Sequence, residues 1–120
     1  MPFFDWHVLS RQNTHQLRAE LVAIGADVAL LSDPNVVAAT HAIKLAHIQP
    51  KLARFLYQEM LLEGGMIALP AKMDDRTTAP VDVIIFGTRT QLEHLAVRLE
   101  TQSDSELDLL AAELRDCLQG

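Results

Sequence analysis

The sequence contains one cysteine, Cys117, so an intrachain disulfide and a cysteine-rich zinc site are both excluded. It is also poor in basic residues: 10 Lys and Arg stand against 16 Asp and Glu, for a formal net charge of −6. That balance lacks the positive footprint of a nucleic-acid or anionic-membrane binder. No apolar run approaches the roughly 18 residues that span a bilayer. The longest candidate, Val81 to Gly87, is interrupted by Asp82 and is of strand length. The opening Met1-Pro2-Phe3-Phe4-Asp5-Trp6-His7 has no basic stretch followed by a long apolar one, unlike a secretory signal. With a lone cysteine suited to a reducing compartment, these absences predict a soluble, cytoplasmic protein without nucleic-acid or membrane partners.

Catalytic and cofactor signatures are equally scarce. No G-x-S-x-G elbow, G-x-G-x-x-G fingerprint or G-x-x-x-x-G-K-[ST] loop occurs. Cys117 lies near the end of an apolar-striped segment, where the negative helix terminus disfavours a thiolate, and reads as a packing or surface residue. The histidines stand at positions 7, 15, 41, 47 and 94, with no H-x-H, H-x-x-H or H-E-x-x-H spacing. On a strand, His41 and His47 would share a face but lie roughly 20 Å apart, too far for one metal ion. The expectation is therefore no cofactor, no metal and no catalytic residue.

What is present suits one compact domain. The 120 residues are 49% hydrophobic and 22% charged, ordinary globular values. A chain of this length buries roughly two-thirds of its unfolded surface on folding. No linker, repeat or low-complexity segment divides it, so residues 1–120 are read as a single domain.

Periodicity gives alternating strands and helices. His7 to Ser10 reads as a short strand. Asn13 then caps a helix carrying Leu17, Leu21 and Ile24 on one stripe, with Gly25 as its stop. Val28 to Leu31 reads as a buried strand, and Ser32-Asp33-Pro34 as a cap with proline at the first helical position. Residues 36–48 fit either period. Val36, Ala39, Ile43 and Ala46 keep helical spacing, whereas His41, Ile43, Leu45 and His47 alternate as on a strand.

Pro50 opens the next helix and Gly64-Gly65 closes it, the glycines serving as a left-handed cap. Met66 to Leu69 and Val81 to Phe86 read as strands, the second rich in β-branched residues. Thr88 or Thr90 caps a helix with Gln91 or Glu93 at the matching third position. Gly87-Thr88 stands where anions can meet free N–H groups, but capping by Thr88 is the plainer account. Ser103 and Glu106 suggest a last capping box. Its helix carries a leucine stripe, opposite which Glu100, Asp104, Glu106, Asp108, Glu113 and Asp116 read as a solvated face. The predicted class is α/β, of the two-layer α+β kind: a mixed sheet of four or five strands with about four helices packed mainly on one face.

One residue resists a purely structural account. On a helix starting at Pro50, the residues Leu52, Phe55, Leu56, Met60 and Leu62 form one apolar arc, and Glu59 points into its middle. A carboxylate facing a sheet needs a partner or a shifted pKa.

From Ala42 to Leu118, and more loosely from Val8, the chain resembles the amino-terminal accessory domain of long-form bacterial dihydropteroate synthases. The matching pieces are Lys44-Leu45, Gln58-Glu59-Met60-Leu61, Gly64-Gly65, Asp82-Val83, Gly87-Thr88 and Gln91-Leu92, in the same order and at similar spacing. The resemblance tips residues 41–48 toward strand. The family's pterin-binding N-x-T-x-D-S-F run and its S-T-R-P run do not occur. The family's usual basic residue after the double glycine is also out of register, since Met66 to Pro70 intervene before Lys72.

The resemblance therefore implies a non-catalytic accessory domain in or near folate biosynthesis, standing alone without the synthase's TIM barrel. Its implied partners are such a barrel or a second copy of itself. A pterin- or nucleotide-binding module and a small enzyme with an unrecognised site are the competing classes. The candidate ligand or interface residues are Lys44, Gln58, Glu59, Gly64, Gly65, Gly87, Thr88 and Gln91. Lys44 is the expected counter-charge of Glu59, either seating the helix on the sheet or lining a polar cleft between them.

Overall fold

The computed structural model describes residues 2–119. Four strands, β1 (Asp5–Leu9), β2 (His41–Ile48), β3 (Met66–Ala68) and β4 (Val81–Gly87), form one sheet in the order β1-β2-β4-β3. Every neighbouring pair is antiparallel. The expected α+β class holds, with a wholly antiparallel sheet in place of a mixed one. Because β4 runs between β2 and β3 and opposes both, the β2-helix-β3 segment is a split crossover whose two strands are parallel but not adjacent.

Five α-helices complete the fold among the described residues: α1 (Thr14–Ile24), α2 (Pro34–Ala38), α3 (Pro50–Leu62), α4 (Arg89–Glu100) and α5 (Ser105–Gln119). They cover both faces of the sheet rather than mainly one. Ile43, Leu45, Ile67, Val83 and Ile85 meet α3, α4 and α5 on one side. Ala42, Met66, Ala68, Ile84 and Phe86 meet α1 and α2 on the other. This explains the apolar run in β4: both of its alternating sets are buried, so no polar set is needed. A strictly alternating strand would have signalled the one-faced packing that the sequence suggested.

Local sequence rules set most boundaries. The Asn13 side chain accepts from the Gln16 backbone N–H at 3.0 Å and caps α1. Gly25 ends it in the left-handed conformation, φ 80°, with the Ala26 N–H returning to the Leu21 carbonyl. Asp33 caps α2 ahead of Pro34, as the sequence suggested. Two expectations fail. Val28–Ser32 is a 3-10 helix capped by Asp27 and has no fully buried residue; the cap outcompetes a strand in so short a segment. The cap of α5 is Asp104, whose side chain accepts from the Leu107 N–H at 3.0 Å, not Ser103, which lies at φ 54° outside the helix.

β2 carries a bulge. Leu45 opposes Val83 and Ile48 opposes Val81, so β2 holds one extra residue there. His47 takes a φ of 57°, and its N–H donates to the Asp82 carboxylate at 2.9 Å. The extra residue resets the alternation. Ile43, Leu45 and Ile48 all face the α3 side, and His47 turns to solvent instead of sharing a face with His41.

The N-terminal strand is tied down from a distance. Glu113 of α5, placed by the sequence on a solvated face, is only 8% exposed. Its carboxylate accepts from the Phe3 and Phe4 N–H groups at 2.6 and 3.0 Å and from Trp6 Nε1 at 2.8 Å. Burial pushes its pKa up, but the three donated hydrogen bonds outweigh that and leave it below the usual carboxylate range. A depressed folded-state pKa stabilises the fold above the unfolded value of about 4.3 and ceases to do so as pH falls through the folded value. Glu113→Ala is expected to destabilise the protein by about 1–3 kcal/mol at neutral pH through stranded donors. Glu113→Gln, compared with wild type by urea unfolding, should show a stability gap at pH 7 that closes toward pH 3.

Candidate functional site

The candidate residues divide between two faces of the sheet. Gly64, Gly65, Gly87, Thr88 and Gln91 meet at one corner, where α3 passes into β3 and β4 passes into α4. Gly64 takes a φ of 86°, allowing the Gly65 N–H to reach the Met60 carbonyl at 3.0 Å and close α3. Thr88 and Gln91 form a reciprocal capping box on α4. The Gln91 N–H donates to Thr88 Oγ1 at 3.2 Å, and the Thr88 N–H donates to Gln91 Oε1 at 2.8 Å. The amide end of Gln91 also lies over Gly64, 3.1 Å from where a Cβ would be.

Met60, fully buried, is the wedge of this corner. Its methyl occupies the space that side chains at Gly65 and Gly87 would need, and the Phe86 carbonyl lies 2.8 Å from the Cβ position of Gly65. The two glycines thus admit a methionine and a neighbouring backbone rather than a ligand. Asn35 of α2 adds a hydrogen bond from its amide to the Gly65 carbonyl at 3.2 Å, tying the opposite helical layer to the same point.

Along the seam between α3 and α4 runs an ion-pair cluster. Glu63 accepts from Arg98 Nε and lies 3.0 Å from His94 Nδ1, while Arg98 Nη1 is 3.6 Å from Glu59. The Arg98 hydrogen bond, helped by His94 and opposed by burial, holds the Glu63 carboxyl below its ordinary range. Glu59 therefore faces the flank of α4 rather than the sheet. The buried stripe of α3 is Pro50, Ala53, Leu56 and Met60, and Leu62, expected in the apolar arc, is 68% exposed.

The expected Lys44–Glu59 pair does not form. Lys44 alternates onto the α1 face of β2, opposite Ile84, and its Nζ lies 3.3 Å from Glu20 of α1. Glu59 belongs to the helix on the other side of the sheet. Neither the helix-seating pair nor the polar cleft between Lys44 and Glu59 exists. Gln58 is exposed on α3.

The partners of Glu59 were legible in outline. Glu59 and Glu63 stand at i, i+4 at the end of α3, and His94 and Arg98 at i, i+4 on α4, so one stripe offers carboxylates and the other nitrogen donors. Only the helix pairing brings them together. Cys117, half-buried on α5, has its thiol pushed up by burial and then by the Asp116 and Glu113 charges, so it stays protonated at neutral pH. Among the described residues, no group of three or more His, Cys, Asp or Glu side chains is arranged to hold a metal ion. No helix among them is long and apolar enough to cross a membrane.

Two stability measurements follow from this geometry. At Gly65 the obstruction includes backbone, which cannot move aside, whereas at Gly87 it is mainly the flexible end of Met60. In chemical denaturation Gly65→Ala should cost more than Gly87→Ala, by about 1–3 kcal/mol, because overpacking against a rigid wall is not relieved. Lys44→Met removes a partly exposed pair and should cost no more than about 1 kcal/mol. A loss several times larger would mean that Lys44 has a buried partner.

No protein-family model, no curated protein and no solved structure matches the chain.

Proposed function

We propose that the chain is a non-catalytic accessory domain of the cytoplasm, acting by protein–protein association in or near folate biosynthesis. Its partner on this reading is a dihydropteroate synthase barrel, with self-association as the second mode. The observation that carries the reading is the convergence at the α3–α4 corner. Gly64, Gly65, Gly87, Thr88 and Gln91 bear much of the resemblance, are scattered along the sequence, and build one joint. Residues that match a family piece by piece and then assemble into a single structural unit support kinship of fold. Kinship with a domain fused to a barrel in turn supports contact with a barrel, an inference from analogy rather than from a site.

The surface beside the joint suits such contact. Leu61 and Leu62 are exposed at the end of α3, the same end of the helix that carries Glu59 and Glu63. An apolar spot edged by charge is the usual makeup of an interaction patch.

The test is recovery of the tagged chain from its source cell, followed by titration with a purified dihydropteroate synthase barrel. Barrel capture by wild type is expected. Leu62→Asp, at a solvent-facing position, should keep its fold and weaken capture about tenfold or more, the scale of an interface anchor. Recovery of the chain alone and monomeric, yet thermally stabilised by a pterin, would replace the reading with a ligand-binding regulatory module. Dihydropteroate formation that survives repurification would replace it with an enzyme.

A further inference from the structure

The two edges of the sheet are not alike. β3 is three residues long and fully buried. β1 is five residues long, regular in its pairing with β2, and most of it is open to solvent. Short length, bulges, lysine and proline are the usual protections of an edge strand, and β1 has only the Asp5 carboxylate and the His7 imidazole. Its apolar positions are exposed as well. Val8 is 63% exposed and Phe3, just before the strand, 68%. Trp6 is half-buried and lines a groove of about 590 Å³ with Leu109, Ala112 and Cys117 of α5.

We propose that β1 is a homodimer interface: two copies pair antiparallel through this edge, with a two-fold axis passing beside Trp6, to form one continuous sheet. This deepens the self-association mode of the function proposed above.

The partner is a second copy because β1 is complementary to itself. A two-fold axis normal to the sheet places residues of equal parity opposite one another, so both copies present the same face to the same side. Centring it on Trp6 sets Asp5 of each copy against His7 of the other, on the face that carries α1. Within one copy these two groups already lie 2.8 Å apart. The dimer therefore joins two such pairs into a ring in which acid and imidazole alternate. On the opposite face the same register sets Trp6 against Trp6, flanked by the exposed Val8. Aromatic–aromatic, aromatic–β-branched and opposite-charge pairs are the favourable cross-strand combinations. Centring on His7 instead would set Trp6 against Val8 but oppose His7 to His7 and Asp5 to Leu9, which loses both acid–imidazole pairs.

Glu113 supports this use of the edge. By holding the Phe3 and Phe4 backbone and the Trp6 ring, it fixes β1 before any partner arrives, which lowers the ordering cost of association.

A charge-swap experiment tests both the interface and its register. Asp5→Arg sets the new arginine against His7 of its partner, and His7→Glu sets the new glutamate against Asp5, so each variant alone loses the acid–imidazole pairs on both sides. Mixed together, they oppose arginine to glutamate and histidine to aspartate. Sedimentation should show wild type dimerising, each variant dimerising about tenfold more weakly or worse, and the equimolar mixture recovering the dimer. Val8→Lys, at an exposed position that leaves the core untouched, should also dissociate the dimer. A wild type that stays monomeric in concentrated solution overturns the proposal, as do folded single variants that dimerise like wild type or a mixture that does not recover. Only oligomeric state is read. A chain that dimerises without binding a synthase barrel contradicts the barrel partnership alone, and a barrel-binding monomer contradicts this interface alone.

Discussion

Burial of β4 on both faces is the constraint on which the rest of the structure depends. Val83 and Ile85 pack under α3, α4 and α5, while Ile84 and Phe86 pack under α1 and α2, and all four are 1% exposed or less. A strand enclosed in this way must have its hydrogen bonds on both edges satisfied by other strands, since water cannot reach them. β2 and β3 supply those bonds. The order of the sheet follows: β4 lies inside between β2 and β3, and the strand bearing Asp5 and His7 lies at one edge. At the end of β4 the chain turns at Gly87, where the absence of a side chain admits Met60. Sheet, crossover helix and the start of α4 thus lock at one point.

This arrangement separates what holds the domain together from what it presents. The double glycine, Met60 and the Thr88–Gln91 capping box face one another and are spent on mutual packing. The exposed apolar positions lie elsewhere: at the end of α3, with Leu61 and Leu62, and along the outer edge of β1. A substitution at the corner would loosen the fold. A substitution at Leu62 or Val8 would have little effect on stability, because those side chains are largely in solvent.

The sequence was most informative where a boundary depends on neighbours only a few residues away. The cap at Asn13, the glycine stop at Gly25, proline at the start of α2 and α3, and the Thr88–Gln91 box are all local chemistry, and all appear where the spacing placed them. It was least informative about tertiary partners. Nothing near Glu113 reveals that its acceptors serve Phe3, Phe4 and Trp6, which are more than 100 residues away. The pairing of Lys44 with Glu20 rather than Glu59 depends on which side of the sheet each helix covers, and that side is invisible to periodicity along one element. One extra residue in β2 defeated the alternation argument for His47, since a bulge reverses facing without altering composition. The segment Val28–Ser32 is apolar enough for a strand, and the Asp27 cap turned it into a 3-10 helix.

The corner packs as a structural joint against the buried strand β4, whereas ligand-binding loops are drawn from the least stable part of a fold. Native-state amide hydrogen exchange distinguishes these directly. The amides of Val83 to Phe86, together with those of Gly65 and Gln91 at the joint, should exchange only through global unfolding, with free energies equal to that of the whole domain. Exchange at Gly65 and Gln91 through local opening, well below the free energy measured in β4, would contradict the account and point to a site that opens for a ligand.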